Sequence, residues 1–151
     1  MPPNDYSAQF QQLDELYREV ILDHYSRPRN RRRIESPDAE AEGYNPLCGD
    51  DVTVQLRLKD GTISEAAFEG QGCSISQASA SILTEQVQGL SPAEAQALAE
   101  DFRRLMQDGA EVDRDLGDLE ALTGVQKFPV RVKCATLAWN ALLEALKQRN
   151  A

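Results

Sequence analysis

The sequence predicts an α+β architecture: a small antiparallel sheet with helices packed on one face. Three observations point there. A cleanly alternating run from Asp51 to Lys59 meets Asp60-Gly61 and then a second extended run, which is a hairpin signature. Segments with helical periodicity mostly come after that hairpin, the order of an α+β chain. The chain has 151 residues, 41% hydrophobic and 27% charged, enough to bury one core. A single domain over residues 1–151 is expected.

The elements follow in order. From about Ala8 to Ser26, Leu13, Leu16, Tyr17, Val20, Ile21 and His24 recur at helical spacing, so an amphipathic helix is expected, closed by Pro28. The basic run Arg27-Pro28-Arg29-Asn30-Arg31-Arg32-Arg33 reads as a solvated loop, with a docking patch for an acidic partner protein as its rival. A stretch punctuated by Ser36-Pro37, Gly43 and Asn45-Pro46 reads as a loop that delivers Cys48. In the strand from Asp51 to Lys59, Val52, Val54, Leu56 and Leu58 share one face; Thr53, Gln55, Arg57 and Lys59 share the other. The return strand runs from Thr62 to Gly70. Its Ile63 and Phe68 have opposite parity, which points to a bulge.

Gly70-Gln71-Gly72 then places Cys73 at the head of a helix running to about Gln88. Ser74, Ser76, Ala78, Ser79, Ala80 and Ser81 make it a helix of small side chains that neighbours can approach closely. Ser91-Pro92-Ala93-Glu94 is a capping box with proline at the first helical position; the helix it opens runs to about Gln107. Asp108 to Asp118 is acidic and reads as a surface loop. A last helix opens at Pro129 and runs to about Lys147. It is expected to bury Val130, Cys134, Leu137, Ala138, Ala141, Leu142 and Ala145, with Trp139 on its flank. Trp139 and Tyr25 read as packing residues.

Composition narrows the function. A net charge of −9 disfavours general nucleic-acid binding, and the basic run lacks interleaved aromatics. No apolar run approaches the roughly 20 residues of a membrane helix. The start, Met1-Pro2-Pro3-Asn4-Asp5, lacks the basic and apolar regions of a secretory signal. With an odd cysteine count, this points to free thiols and a cytoplasmic location.

Those thiols are the chemistry of the chain. Cys48 sits in Asn45-Pro46-Leu47-Cys48-Gly49-Asp50, Cys73 in Gly70-Gln71-Gly72-Cys73, and Cys134 in Phe128-Pro129-Val130-Arg131-Val132-Lys133-Cys134. Each lies beside a turn or near a helix start, where N–H groups stabilise a thiolate. Taken singly, each reads equally as a small buried hydrophobe, Cys134 above all. Taken together with Asp50, they offer three sulfurs and a carboxylate, a set that suits one tetrahedral metal ion. Three thiolates and a carboxylate would leave Zn²⁺ with surplus negative charge; Lys133 and Arg131 are candidates to offset it. Asp51 is an alternative carboxylate, but strand alternation turns it away from the side of Asp50. His24 reads as a packing or capping residue rather than a further donor.

These stretches, with Leu16-Tyr17-Arg18-Glu19-Val20-Ile21-Leu22-Asp23-His24-Tyr25, resemble the U-type iron–sulfur assembly proteins over nearly the whole chain. The resemblance implies the α+β fold and the metal ligands Cys48, Asp50, Cys73 and Cys134. Lys133 stands where the IscU-like branch has a histidine, and an extra helical, acidic stretch spans Ser91 to Asp118; both features look like the SufU branch. That branch implies a zinc-bound sulfur acceptor, with Cys48 taking a persulfide from a pyridoxal-phosphate cysteine desulfurase and passing sulfur to downstream iron–sulfur assembly machinery. It implies a sulfur-transfer partner rather than a stand-alone enzyme. The alternatives are an IscU-like scaffold that builds a [2Fe–2S] cluster from iron on the same cysteines, and a structural zinc protein that only binds partners.

Overall fold

The computed structural model describes residues 15–149. The expected helical stretch from Ala8 to Asp14, Leu13 included, lies outside them. The order is α1 (Glu15–Ser26), β1 (Ala39–Asn45), β2 (Asp50–Lys59), β3 (Thr62–Gln71), α2 (Ser74–Val87), α3 (Pro92–Asp108), a 3₁₀ segment (Gly117–Lys127) and α4 (Pro129–Arg149). The three strands form one antiparallel sheet, ordered β1-β2-β3.

The β2–β3 hairpin turns where the sequence places it. Asp60 and Gly61 both take positive φ, 54° and 79°, as a two-residue hairpin with the right twist requires. The register shifts between Arg57 and Leu58, so Ser64 is the extra residue. This bulge reconciles the opposite parities of Ile63 and Phe68, both fully buried.

Strand β1 corrects the expected loop before Cys48. Its two outward glutamates and its Gly43 hide the strand signal, because the buried positions are only Ala39, Ala41 and the polar Asn45. Small residues are what this strand needs. A side chain at Gly43 would meet Leu137 Cδ1 at 3.0 Å, so α4 lies almost directly on the backbone.

Helices α4 and α2 cover one face of the sheet, α4 over β1 and β2, α2 over β3. Val52, Val54, Leu56 and Phe68 are buried beneath them. The small residues of α2 are buried almost without exception, from Ile75 to Thr84, with α1 on one side and α4 on another. Ser79 Oγ donates to Ala135 O at 2.6 Å and accepts from Trp139 Nε1 at 3.1 Å. Trp139 is therefore not on a flank: it is wholly buried, 5.3 Å from Phe102 between ring centroids. Helix α3 starts with the expected capping box between Ser91 and Glu94.

Asp108 to Asp118 is the expected surface loop apart from its ends, and two further expectations are corrected. Residues Gly117–Lys127 form a 3₁₀ segment that buries Leu119, Leu122 and Val125, so the acidic loop ends in a core-forming element. Leu16, Tyr25 and Val130 are exposed rather than packed. The basic run is a strap rather than a solvated loop. Asn30 O accepts from Phe68 N at 3.1 Å on the free edge of β3, and Ile34 N donates to the buried Gln55 side chain under the sheet at 2.7 Å. Arg27 and Arg29 pair with Asp23, Arg32 with Glu65 and Arg33 with Glu69.

Candidate metal centre

Three separate elements deliver the cysteines. Cys48 lies in the four-residue turn between β1 and β2. Asn45 shapes that turn: its Oδ1 accepts from Leu47 N at 3.1 Å, and its carbonyl accepts from Gly49 N at 2.9 Å and Cys48 N at 3.3 Å. Gly49 at φ 69° reverses the chain so that Asp50, the first residue of β2, points inward, fully buried. Asn45 was not singled out from sequence. The signal was an asparagine opening a proline-containing turn, where its side chain bonds the backbone two residues on.

Cys73 is the N-cap of α2, with extended backbone and its Sγ accepting from Ser76 N at 3.5 Å. Its own N–H donates to Asp50 Oδ1 at 2.9 Å. Gly72 makes this approach feasible, since a Cβ there would lie 2.4 Å from that same oxygen. Cys134 sits on the buried face of α4, two helical steps inside its start.

The donors converge. One ligand atom each from Cys48, Asp50 and Cys134 lies within 4.8 Å of the others. Cys134 Sγ and Cys48 Sγ are 3.4 Å apart; Cys73 Sγ is 4.0 Å from Asp50 Oδ2. With Zn–S near 2.3 Å and Zn–O near ~2.0–2.2 Å, tetrahedral donors stand roughly 3.5–4 Å apart. Cys48, Asp50 and Cys134 therefore have the mutual spacing and the chemistry to hold one small ion; Cys73 borders Asp50 but stands outside that mutually close group. Asp51, the alternative carboxylate, pairs in the sheet between Tyr44 and Gln71 and is outside this group.

The electrostatics single out one sulfur. A hydrogen bond from the Cys134 thiol, aided by backbone N–H groups of Ser76 and Ile75 against the cost of burial, lowers the Cys73 pKa to about 6. Cys134 is pushed up by its interaction with Cys73, by burial, by its hydrogen bond to Cys48 and by Asp50. The two shifts run in opposite directions, favouring charge on Cys73 over charge on Cys134.

Arg131 is the cation beside this charge, with Nη1 3.5 Å from Cys48 Sγ and 3.9 Å from Cys134 Sγ. Lys133, the other candidate, is exposed and lines a shallow cleft with Tyr44, Leu47 and Asn140 instead. Helical spacing explains the difference, since a residue three before Cys134 shares its face and a residue one before does not. His24 is remote from the sulfurs. Its Nδ1 meets Ser81 Oγ and its Nε2 meets Asp118 Oδ2, each at 2.8 Å, so it ties α1 to α2 and to the acidic segment. Around Cys48 the surface is apolar and open: Tyr44 is 63% and Leu47 67% exposed.

Known proteins resemble this chain in sequence and fold. The profile described as NifU-like N terminal domain matches residues 16–150. The zinc-dependent sulfurtransferase SufU of Bacillus subtilis strain 168 is 47% identical over 86% of this chain and 88% of its own length. The iron–sulfur cluster assembly scaffold protein IscU of Streptococcus pyogenes serotype M1 is 44% identical, covering 90% and 86%. A crystal structure of the N-terminal part of a NifU-like protein from Brucella abortus superposes with a TM-score of 0.82 at 25% identity, over 91% of this chain and 96% of that one.

Proposed function

This chain belongs to the NifU-like N-terminal domain family, and we propose that within it the protein is a zinc-bound sulfur acceptor for iron–sulfur cluster assembly. The ligands are Cys48, Asp50, Cys73 and Cys134. The donor is the persulfide of a pyridoxal-phosphate cysteine desulfurase, and the recipient is downstream assembly machinery. The observation that supports this most is the asymmetry of the donor set. Cys73 and Cys134 are held by helices, whereas Cys48 rides a turn at an open apolar surface with Arg131 beside it.

Zinc, when bound, keeps the sulfurs deprotonated without redox chemistry of its own. Cys48 leaves the donor set most readily, because only the short β1–β2 turn need move. Arg131 then balances the freed thiolate. The Cys48 thiolate attacks the terminal sulfur of the donor persulfide; a new S–S bond forms on Cys48, the donor's S–S bond breaks, and the electron pair leaves on the desulfurase thiolate. No external oxidant or reductant is needed.

The scaffold reading, a [2Fe–2S] cluster assembled as cargo on the same cysteines, draws on the Streptococcus relative. Against it stands Lys133, exposed in the cleft with Tyr44 and Leu47, where that branch has a further ligand. The test is desulfurase turnover with elemental analysis. The expected result is colourless protein with close to one zinc, wild-type stimulation of the desulfurase, and none with Cys48→Ala. Asp50→Ala should keep its fold and much of its zinc on three thiolates yet stimulate poorly, with Asp51→Ala normal. Iron and visible colour in place of zinc favour the scaffold; zinc with no persulfide on any cysteine leaves a structural metal.

A further inference from the structure

Beside Gly72, next in sequence to Cys73, is a second polar feature that sulfur transfer does not use. A cleft of about 370 Å³ is lined by Tyr25, Pro28, Arg31, Gln71, Gly72 and Gln77. It lies between the end of α1, the strap and the first turn of α2. Gln77 is only 5% exposed, and its Nε2 has no hydrogen-bond partner. A buried amide N–H group left unpaired is costly, so such a group calls for a ligand.

The strap supplies the charge. Of its five arginines, Arg27, Arg29, Arg32 and Arg33 pair with carboxylates of this chain. Arg31 alone has no carboxylate partner among the described residues; Nη2 donates to Gly70 O at 2.8 Å, which fixes the guanidinium at the cleft without neutralising it. Tyr25, exposed at the rim, adds a phenolic hydroxyl. A fixed guanidinium, an unpaired amide N–H and a hydroxyl give the cleft three kinds of donor and no anionic group among its lining residues.

We propose that this cleft is a binding site for a single carboxylate group, held by Arg31 and Gln77. A guanidinium and a carboxylate match as planar, two-pronged partners. One negative charge fits better than two, because Asp50 lies just behind Gly72 and the chain carries −9 overall; a phosphate dianion is disfavoured on that ground. The carboxylate can come from a free small acid or from an acidic side chain of the desulfurase, and the second source rests on the function proposed above.

The probe is N-acetylglycine, with its neutral amide, N-acetylglycinamide, as control, titrated into zinc-loaded ¹⁵N-labelled protein. The side-chain N–H signals of Arg31 and Gln77 should shift and saturate with the acid and stay put with the amide. Arg31→Ala and Gln77→Met should each weaken binding by tenfold or more, while Arg33→Ala, on the same strap but already paired, leaves it unchanged. Gln77→Met should also keep or raise the melting temperature, since it removes an unpaired buried polar group; this separates lost binding from lost folding. Unsaturable shifts, equal response to the amide, or undiminished binding in both variants would overturn the site. With binding established, desulfurase affinity tells the sources apart. Affinity reduced in both variants assigns the site to the partner's carboxylate, and unchanged affinity assigns it to a free acid. Failure of sulfur transfer itself would leave the titration result standing.

Discussion

At the scale of single residues, the centre is built from side chains whose neighbours are as specialised as they are. Cys73 is the clearest case. Its thiolate depends on the proton that Cys134 lends it, so removing that proton should be visible at Cys73. In metal-free protein, iodoacetamide labelling of Cys73 should rise with pH through an inflection near 6. In Cys134→Ala the inflection should move upward, toward an ordinary thiol, because the lowering hydrogen bond is gone while burial still opposes the charge. Mass spectrometry of the labelled peptide at a series of pH values reads it; an unmoved inflection would assign the lowering to the helix N–H groups alone. Much of this was legible in the sequence. Gly49 beside Cys48 and Gly72 beside Cys73 mark backbone that must turn sharply or approach closely, and Asp50 follows from strand parity. What the sequence hid was distance: Arg131 and Lys133 are equally near Cys134 along the chain, and only the helix decides which faces sulfur.

At the scale of elements, two contacts carry most of the specificity. Ser79 links α2 to α4 by accepting from Trp139 and donating to Ala135. Ser79→Ala should therefore cost about 1–3 kcal/mol in chemical denaturation, mainly through the orphaned indole N–H. A cost near zero would show that water or a shifted ring replaces the bond. The strap is the second. Arg29 and Arg27 hold the Asp23 carboxyl at a pKa of about 2, below its usual value of 3.8. A depressed carboxyl contributes stability that is complete above its unfolded pKa and is lost as pH falls through its folded one. The stability gap between wild type and Asp23→Asn should thus be constant above about pH 5 and close between pH 4 and 2. Thermal melts across that range check it, and a gap independent of pH would mean that Asp23 acts by packing. The hairpin, α2, α3 and α4 were readable because periodicity, turn residues and caps agree there. Strand β1 was not, since Ala39, Ala41 and Gly43 are chosen for the closeness of α4 rather than for strand propensity. The 3₁₀ segment was missed because its buried Leu119, Leu122 and Val125 recur every three residues within a polar stretch too short to show a period.

At the scale of the molecule, the candidate ligands come from the β1–β2 turn, the head of α2 and the body of α4, so one ion would join parts of the chain far apart in sequence. Chelation under reducing conditions should lower the melting temperature by several degrees or more, because the ion binds the folded state in preference to the unfolded one. Adding zinc back should restore it; an unchanged melting temperature after verified removal would mean that the helices hold the pocket unaided. The sheet carries a different consequence. Strand β1 ends the order β1-β2-β3 with Glu40 and Glu42 exposed on it, while the strap occupies part of the other border at Phe68. Two copies laid border to border at β1 would bring these acidic side chains together in an already anionic protein. The residues that conceal the strand from a sequence reader therefore also conceal it from its own kind. They disfavour edge-to-edge polymerisation at the strand that leads into the turn carrying Cys48.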